Sequence, residues 1–290
     1  MNILIININI EWVFKLYGEY ILSIKTFIKK CYNDITIHTL YYDVNTFNTK
    51  ILNTIDYDKY QKILYCGNID ILDNILQKIN NNYKKLYYIN IEQLSHKDYF
   101  NVLNKINKNI SIIDYSEENV KFLQNNYKYF LFPPFYYVNN EHINKTIDVL
   151  SICNNSYREM IFNKINVNAA FKKMAIKDCY DKIRDDLFDK TKIYINIHCS
   201  DNHNTMELIR IVNLICKKVI VISQQSICSE LLFFKDYIII CNSPELFSEY
   251  VDEILNNYEK YYYKIYNDFD KKYNEYINYI KQNVDTFIKS

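Results

Sequence analysis

The chain has 290 residues, enough for one large domain or two of ordinary size, and 49% of them are apolar, so real hydrophobic cores can form. Lys plus Arg number 35 against 34 Asp plus Glu, with no basic run, which leaves out the electrostatic footprint of a nucleic-acid or membrane-surface binder. Two glycines and three prolines are too few for a phosphate-cradling loop, so a Walker loop and a complete G-x-G-x-x-G fingerprint are excluded as well.

Short apolar runs alternate with helical patterns from the start. Residues 2–10 read as a strand, 17–32 as a helix, 35–42 and 62–67 as strands, and "IDILDNILQKI" as a helix. A strand at 85–90, a helix in "SHKDYFNVLNKI", a strand at 110–116 and a helix in "EENVKFLQNN" follow, leading to "YFLFPPFYY". Such alternation predicts a parallel, doubly wound sheet. Pro133 and Pro134 precede the polar stretch 138–146, which reads as an interdomain linker.

The alternation then restarts. Strands are expected at 147–153, 192–198, 218–223 and 236–241, with helices in "SYREMIFNKI" and "NTMELIRIVNLICK". Ser243 and Pro244 suit the N-cap and first position of a helix, and a helical tail runs on to Ser290. In that tail Ile265, Phe269, Tyr273, Ile277, Ile280, Val284 and Ile288 form one apolar stripe, which needs a partner surface and suits either the core or a homodimer seam. The fold class is α/β, with two Rossmann-like halves: an N-terminal domain 1–137, a C-terminal domain 147–255, and the helix 256–290 packing across them.

The eight cysteines are widely spaced without a Cys-x-x-Cys pair, as expected of free thiols in a reducing compartment. The N-terminus lacks a basic flank, and no run reaches the roughly 18 apolar residues of a transmembrane helix, so a soluble, cytoplasmic protein is expected.

Polar constellations stand at the strand ends, where open α/β sheets bind ligands. In the first half these are Asn90, Glu92 and Gln93, then Asp114, Tyr115 and Ser116. Glu92 or Asp114 is a candidate general base for an acceptor hydroxyl. Ser116 followed by two glutamates also suits a helix cap. In the second half, Glu207 and Arg210 lie three apart just after "HCSDNHNT"; an Arg fork grips phosphate oxygens and a Glu accepts sugar hydroxyls, while a surface ion pair is the simpler role. His198, Cys199, Asp201 and His203 match no standard metal spacing, so no metal is expected. His198 and Cys199 should point to opposite faces, which disfavours a nucleophile pair.

"YINIEQLS", "IIDYSEENV", "LFPPFYY", "IDVLSICNNSYRE", "KIYINIHCSDNHNTMELIRIVNLICKKVIVIS" and "ELFSEYVDEIL", in that order, resemble glycosyltransferase-like proteins of the GT-B class found in bacterial surface-polysaccharide pathways and giant viruses. Heavy use of Ile, Asn, Lys and Tyr points the same way, to the AT-rich coding of giant DNA viruses of amoebae, which would place the protein in a host cytoplasm. The resemblance covers most of residues 85–255 and implies two Rossmann-like domains facing across a cleft, the first binding a glycan or other hydroxyl acceptor. The second would bind a nucleotide-diphosphate sugar, UDP- or GDP-linked, as co-substrate with neither metal nor cofactor. Glu207 would hold the ribose or donor sugar, with Arg210 supporting it. His198 and Ser200 would line the donor cleft, and Asn154 would lie in its first turn. Arg158 would approach the diphosphate beside a helix N-terminus.

The chain departs from the family pattern where Cys153 and Asn154 replace a turn Gly, Phe135 replaces the Gly of P-x-G-Y, and Gln224 replaces the Glu of V-I-S-E. Cys199 stands where many GT-B enzymes carry a second donor-binding Glu. The expected activity is therefore sugar transfer in viral or surface glycan synthesis, and the alternative is a catalytically degenerate GT-B-like binding or scaffold protein.

Overall fold

The computed structural model describes residues 1–9, 11–43, 45–138, 143–201, 205–226 and 233–290. The chain divides into two compact units, Met1–Phe135 with Tyr279–Ser290, and Tyr136–Asn278. Each is built on an all-parallel sheet.

The first unit runs β1 (Asn2–Asn9), α1 (Glu11–Cys31), β2 (Thr36–Asp43), β3 (Lys62–Gly67), α2 (Ile69–Lys78), β4 (Leu86–Ile89), α3 (Lys97–Leu103), β5 (Ser111–Asp114), α4 (Glu117–Leu123) and β6 (Tyr129–Leu131). The sheet order is β2-β1-β3-β4-β5-β6. Ile3, Leu4, Ile5 and Ile6 of β1 are all fully buried, as a central parallel strand covered on both faces requires. Each such side chain contributes roughly 2 kcal/mol by leaving water. Helix starts are specified locally: the Asn68 side chain accepts the N–H of Asp70 at α2, and Ser116 Oγ accepts that of Asn119 at α4.

The second unit runs β7 (Ile147–Ile152), α5 (Ser156–Lys164), β8 (Lys173–Ile176), α6 (Asp181–Asp189), β9 (Thr191–Asn196), α7 (Leu208–Cys216), β10 (Ile220–Gln224), β11 (Ile238–Cys241), α8 (Phe247–Asn256) and α9 (Tyr258–Tyr266). Its sheet order is β11-β10-β9-β7-β8. The chain leaves β7 to one side for β8 and returns to the other for β9, so β7 and β9 flank a topological switch point. Crevices for ligands open at the carboxyl ends of strands at such points.

Three expectations are corrected. The strands β6 and β8 and the helix α6 lie outside the expected elements: β6 is three residues of the apolar run "YFLF", β8 is the short half-exposed segment "KMAI", and α6 is a mostly charged sequence, "DKIRDDLFD". The tail is not one helix: it breaks at Asn257 and again before α10 (Phe269–Lys289). Ser243 does not cap with its side chain; its hydroxyl donates to Glu245, and Pro244 opens a short 3-10 turn before α8.

The stripe of α10 is covered within the chain at its buried positions. Phe269 packs on Tyr237 and Tyr266 in the second unit, while Phe287 meets Tyr87, Phe130 and Phe132 at ring distances of 5.0, 5.5 and 5.0 Å in the first. Of the expected stripe, Phe269, Ile280 and Val284 are buried while Ile265, Tyr273, Ile277 and Ile288 are only partly so, and the buried face is completed by Tyr276 and Phe287, which the stripe left out. No helix among the described residues is long and apolar enough to cross a membrane. The described cysteines are all unpaired.

Candidate functional site

At the carboxyl ends of β9, β10 and β11 a pocket of about 140 Å³ is lined by Tyr157, His198, Ser200, Gln224, Gln225 and Asn242, with Asp201 on its wall. The α5 N-terminus belongs to the same region: Asn155 caps it by accepting the N–H of Arg158 at 2.9 Å, and its amide reaches the Cys199 carbonyl at 3.0 Å. A helix that starts here turns the positive end of its dipole to the strand ends.

Behind His198 lies a polar cluster. Glu207, the residue before α7, accepts from Arg158 Nη2 at 3.2 Å through Oε1 and from Asn196 Nδ2 at 2.8 Å through Oε2. His198 Nδ1 stands 3.3 Å from Oε2. Arg210 Nη1 donates to Asn196 Oδ1 at 3.4 Å, and Asn196 Nδ2 also meets Ser223 Oγ at 3.0 Å. Arg158 Nε donates to the Ile197 carbonyl at 2.8 Å. The backbone N–H of His198 is taken by Gln224 Oε1 at 2.7 Å, and Nε2 faces the Gln225 carbonyl at 3.1 Å.

The charges follow from this geometry. Burial alone would raise the Glu207 carboxyl, but the His198 hydrogen bond and the charges of His198, Arg158 and Arg210 outweigh it and hold the group at about 2. Burial would lower the His198 imidazole, yet the Glu207 hydrogen bond and charge, with the Gln225 carbonyl, raise it above its usual value. Two guanidiniums and the His198 imidazole thus share one carboxylate, and the two guanidiniums alone make the cluster beneath the pocket net positive. Asp201 on the wall is engaged by the Tyr157 hydroxyl.

The expected donor residues therefore differ in placement. His198 and Ser200 line the pocket. Glu207 and Arg210 both meet Asn196, and the Glu207 side chain is only 14% exposed, so they belong to a buried cluster and not to a surface i,i+3 pair. Arg158 does not reach outward: both described contacts point into the cluster, because the Ile197 carbonyl and Glu207 lie beneath α5. Asn154 is turned to Tyr180 and to the N–H of Asp178. His198 is buried and Cys199 exposed, as opposite-facing neighbours must be. His203 lies outside the described residues, and among those described no group of three potential metal ligands occurs.

In the first unit, Asp114 and Glu92 part company. Asp114 is fully buried and accepts from Asn90 Nδ2 at 2.7 Å, the Ser116 N–H at 2.9 Å and Asn119 Nδ2 at 3.0 Å. Burial lifts its carboxyl to about 7 against the pull of those donors. It ties the ends of β4 and β5 to the start of α4, and a substrate has no path to it. Glu92 is partly buried, and its carboxylate accepts from the Tyr17 hydroxyl of α1. Burial raises its carboxyl above the ordinary range, and the Tyr17 bond opposes that. Sequence reasoning missed Tyr17, Asn196, Tyr157 and Gln225. Only Asn196 carries a signal, as a polar residue in the apolar run "YINI".

No protein-family profile matches the chain. Sequence relatives are "Uncharacterized protein L140" of Acanthamoeba polyphaga mimivirus, 27% identical over 80% of this chain and 73% of that protein, and "Uncharacterized protein R358" of the same virus, 26% identical over 68% and 71%. A third mimivirus protein, "Uncharacterized protein L138", is 26% identical over 84% of this chain but only 28% of its own length. Among solved structures, the DNA-modifying enzyme β-glucosyltransferase, studied with and without its substrate uridine diphosphoglucose, superposes with a TM-score of 0.59 at 14% identity, covering 100% of this chain and 99% of that one. Anabaena Alr3699/HepE in complex with UDP-glucose gives 0.60 at 9% identity over 99% and 100%. The chain has the GT-B fold, and its sequence relatives are proteins of a giant virus.

Proposed function

We propose that the protein is a glycosyltransferase that moves a sugar from a nucleotide diphosphate, UDP before GDP, to a hydroxyl acceptor. The observation that carries this reading is the net-positive cluster of Arg158, Arg210, His198 and Glu207 under a pocket at the carboxyl ends of the second sheet. As the sugar departs, the nucleotide diphosphate gains negative charge, and fixed positive groups stabilise that charge without reorganising. The α5 N-terminus adds backbone N–H donors of the same sign. Likeness of fold to proteins solved with UDP-glucose supports the donor class.

In this reading Tyr157, Ser200 and Gln225 contact the diphosphate or ribose, and Glu207 positions His198 and Arg158, its oxygens being already engaged. The first unit takes the acceptor, with Glu92 as the base that accepts the hydroxyl proton. Near-zero net charge speaks against DNA as that acceptor. The reaction is metal-independent. A second reading, a binding or scaffold protein that retains the fold without turnover, is favoured by one observation: the Arg158 guanidinium is spent inside the cluster.

Calorimetric titration with UDP, UDP-glucose and GDP, followed by hydrolysis and transfer assays with EDTA or Mn2+ present, separates the readings. The enzyme reading expects UDP binding weakened by Gln225→Ala or Tyr157→Ala, and turnover that survives EDTA. Binding without turnover on any acceptor supports the scaffold, and no response to any nucleotide sugar removes both donor-based readings.

A further inference from the structure

A pocket at the other end of the second sheet is untouched by the donor reading. It lies where β7, β9 and β10 begin, has a volume of about 330 Å³, and is walled by Lys145, Lys192, Lys217, Lys218, Tyr258 and Tyr262. The length of β9, six residues, puts it roughly 20 Å from the strand ends that face the first pocket. Reaction sites of open α/β sheets gather at the carboxyl ends, so this is a separate place.

We propose that this pocket is a second ligand site, for a single sugar ring bearing one phosphate or carboxylate group. Four lysines stand in its wall against two acids, Asp189 and Glu259. Two of the lysines are neutralised: Lys192 by Asp148 at 2.7 Å and Lys217 by Asp189 at 2.8 Å. Among the described residues the other two form no ion pair, although the charge of Asp189, already paired with Lys217, reaches Lys145. The Lys145 ammonium donates to the Lys217 carbonyl at 3.0 Å, and Lys218 lies over the Phe269 ring at 5.6 Å. Two such cations beside one cavity call for an anion.

The tyrosines set the rest of the ligand. The Tyr258 hydroxyl is buried without any hydrogen-bond partner, a state that costs free energy until a ligand or solvent group meets it. Tyr258 and Tyr262 adjoin, with ring centroids 5.9 Å apart, and offer an apolar face with polar tips. A sugar ring presents the complement, C–H groups on one face and hydroxyls at its edge. The volume lies near the lower end of small-molecule sites, roughly 300 to 1,000 Å³, which suits one ring. Lys145 agrees: burial, with the Lys217 charge and against that of Asp189, holds its ammonium down to about 8, a cost that a bound anion relieves.

The test is calorimetry on the full chain with glucose 6-phosphate and glucuronate, which distinguish phosphate from carboxylate, and with glucose and inorganic phosphate as partial probes. One of the two anionic sugars should bind, and glucose and phosphate alone should each bind at least about tenfold more weakly. Lys145→Met and Lys218→Gln should each lower the affinity by about tenfold or more, and Tyr258→Phe by a few-fold, while UDP titration of the same variants matches the parent. Reading the same loss in two separate lysine variants, with UDP titration of each matching the parent, guards against a folding defect. Absence of binding by both anionic sugars at about 5 mM, or binding indifferent to both lysine variants, overturns the proposal. Uridine monophosphate binding as tightly, and lost in the same variants, overturns the sugar assignment. Because UDP is titrated separately, failure of the donor reading leaves this result interpretable.

Discussion

His198 and Glu207 are held as a charged pair: Nδ1 stands 3.3 Å from the carboxylate while Nε2 faces the Gln225 carbonyl at 3.1 Å. Both ring nitrogens therefore face acceptors, and only the doubly protonated imidazole satisfies both. Gln224 accepts the backbone N–H of His198 and so fixes the main chain that carries the ring, a task a neutral amide performs as well as an acid.

The pair makes stability depend on pH at both ends. His198 has a folded value raised above its unfolded one, so its contribution is complete below about pH 6.5 and is lost as pH rises through the folded value. Glu207 is held at about 2, so its contribution is complete above its unfolded value of 4.5 and is lost as pH falls toward 2. Melting temperatures measured from pH 3 to 9 should fall on both sides of a mildly acidic maximum. His198→Gln should flatten the alkaline limb; an unchanged alkaline limb would show that the imidazole is neutral in the fold.

Removing the carboxylate should be worse than replacing it. Glu207→Ala leaves Arg158 and His198 as buried cations without compensation and is expected to cost about 3 to 5 kcal/mol. Glu207→Gln retains an acceptor for Asn196 and should cost less. Urea unfolding of both variants checks the order, and equal losses would mean that packing, not charge, is what Glu207 supplies.

Glu92 and Tyr17 give a kinetic prediction on the transferase reading. Glu92→Gln should lower transfer by roughly 10² to 10⁴ while leaving UDP binding intact. Tyr17 opposes the burial that raises the Glu92 carboxyl, so Tyr17→Phe should raise it further. A base works when deprotonated, so the acid limb of the rate profile should move to higher pH in Tyr17→Phe. An acid limb that stays in place argues against Glu92 as the base.

Most strands were legible because parallel strands buried on both faces must be near-continuous apolar runs, as "ILII" in β1 and "IVIS" in β10 are. β8 escaped because it is an edge strand, and "KMAI" is only half-buried. Glu207 was visible as an acid after a strand, and its role as the centre of a cluster was not. That depends on Asn196, eleven residues earlier, and on Arg158, forty-nine earlier, which only the sheet brings together. The direction of a long side chain such as that of Arg158 is decided by which acceptor lies beneath its helix, and spacing along the chain does not contain that. The same holds for Asp114, whose three donors come from the ends of two strands and the start of α4.

The two glycines of the chain should respond oppositely to alanine. Gly67 ends β3 beside β1 with φ +149°, and a Cβ there would stand 2.2 Å from the Ile8 carbonyl oxygen, which belongs to a ladder that has no room to shift. Both the conformation and the space demand glycine. Gly67→Ala is expected to destabilise by at least about 2 kcal/mol. Gly18 lies inside α1 with nothing within 4 Å of an added Cβ, so Gly18→Ala should stabilise by roughly 0.5 to 1 kcal/mol through helix propensity. Denaturant unfolding of the two variants decides it. A tolerated Gly67→Ala would mean that β1 and β3 do not meet in the register that sets the mouth of the first unit, and that register also carries the placement of Glu92 one strand further along the sheet.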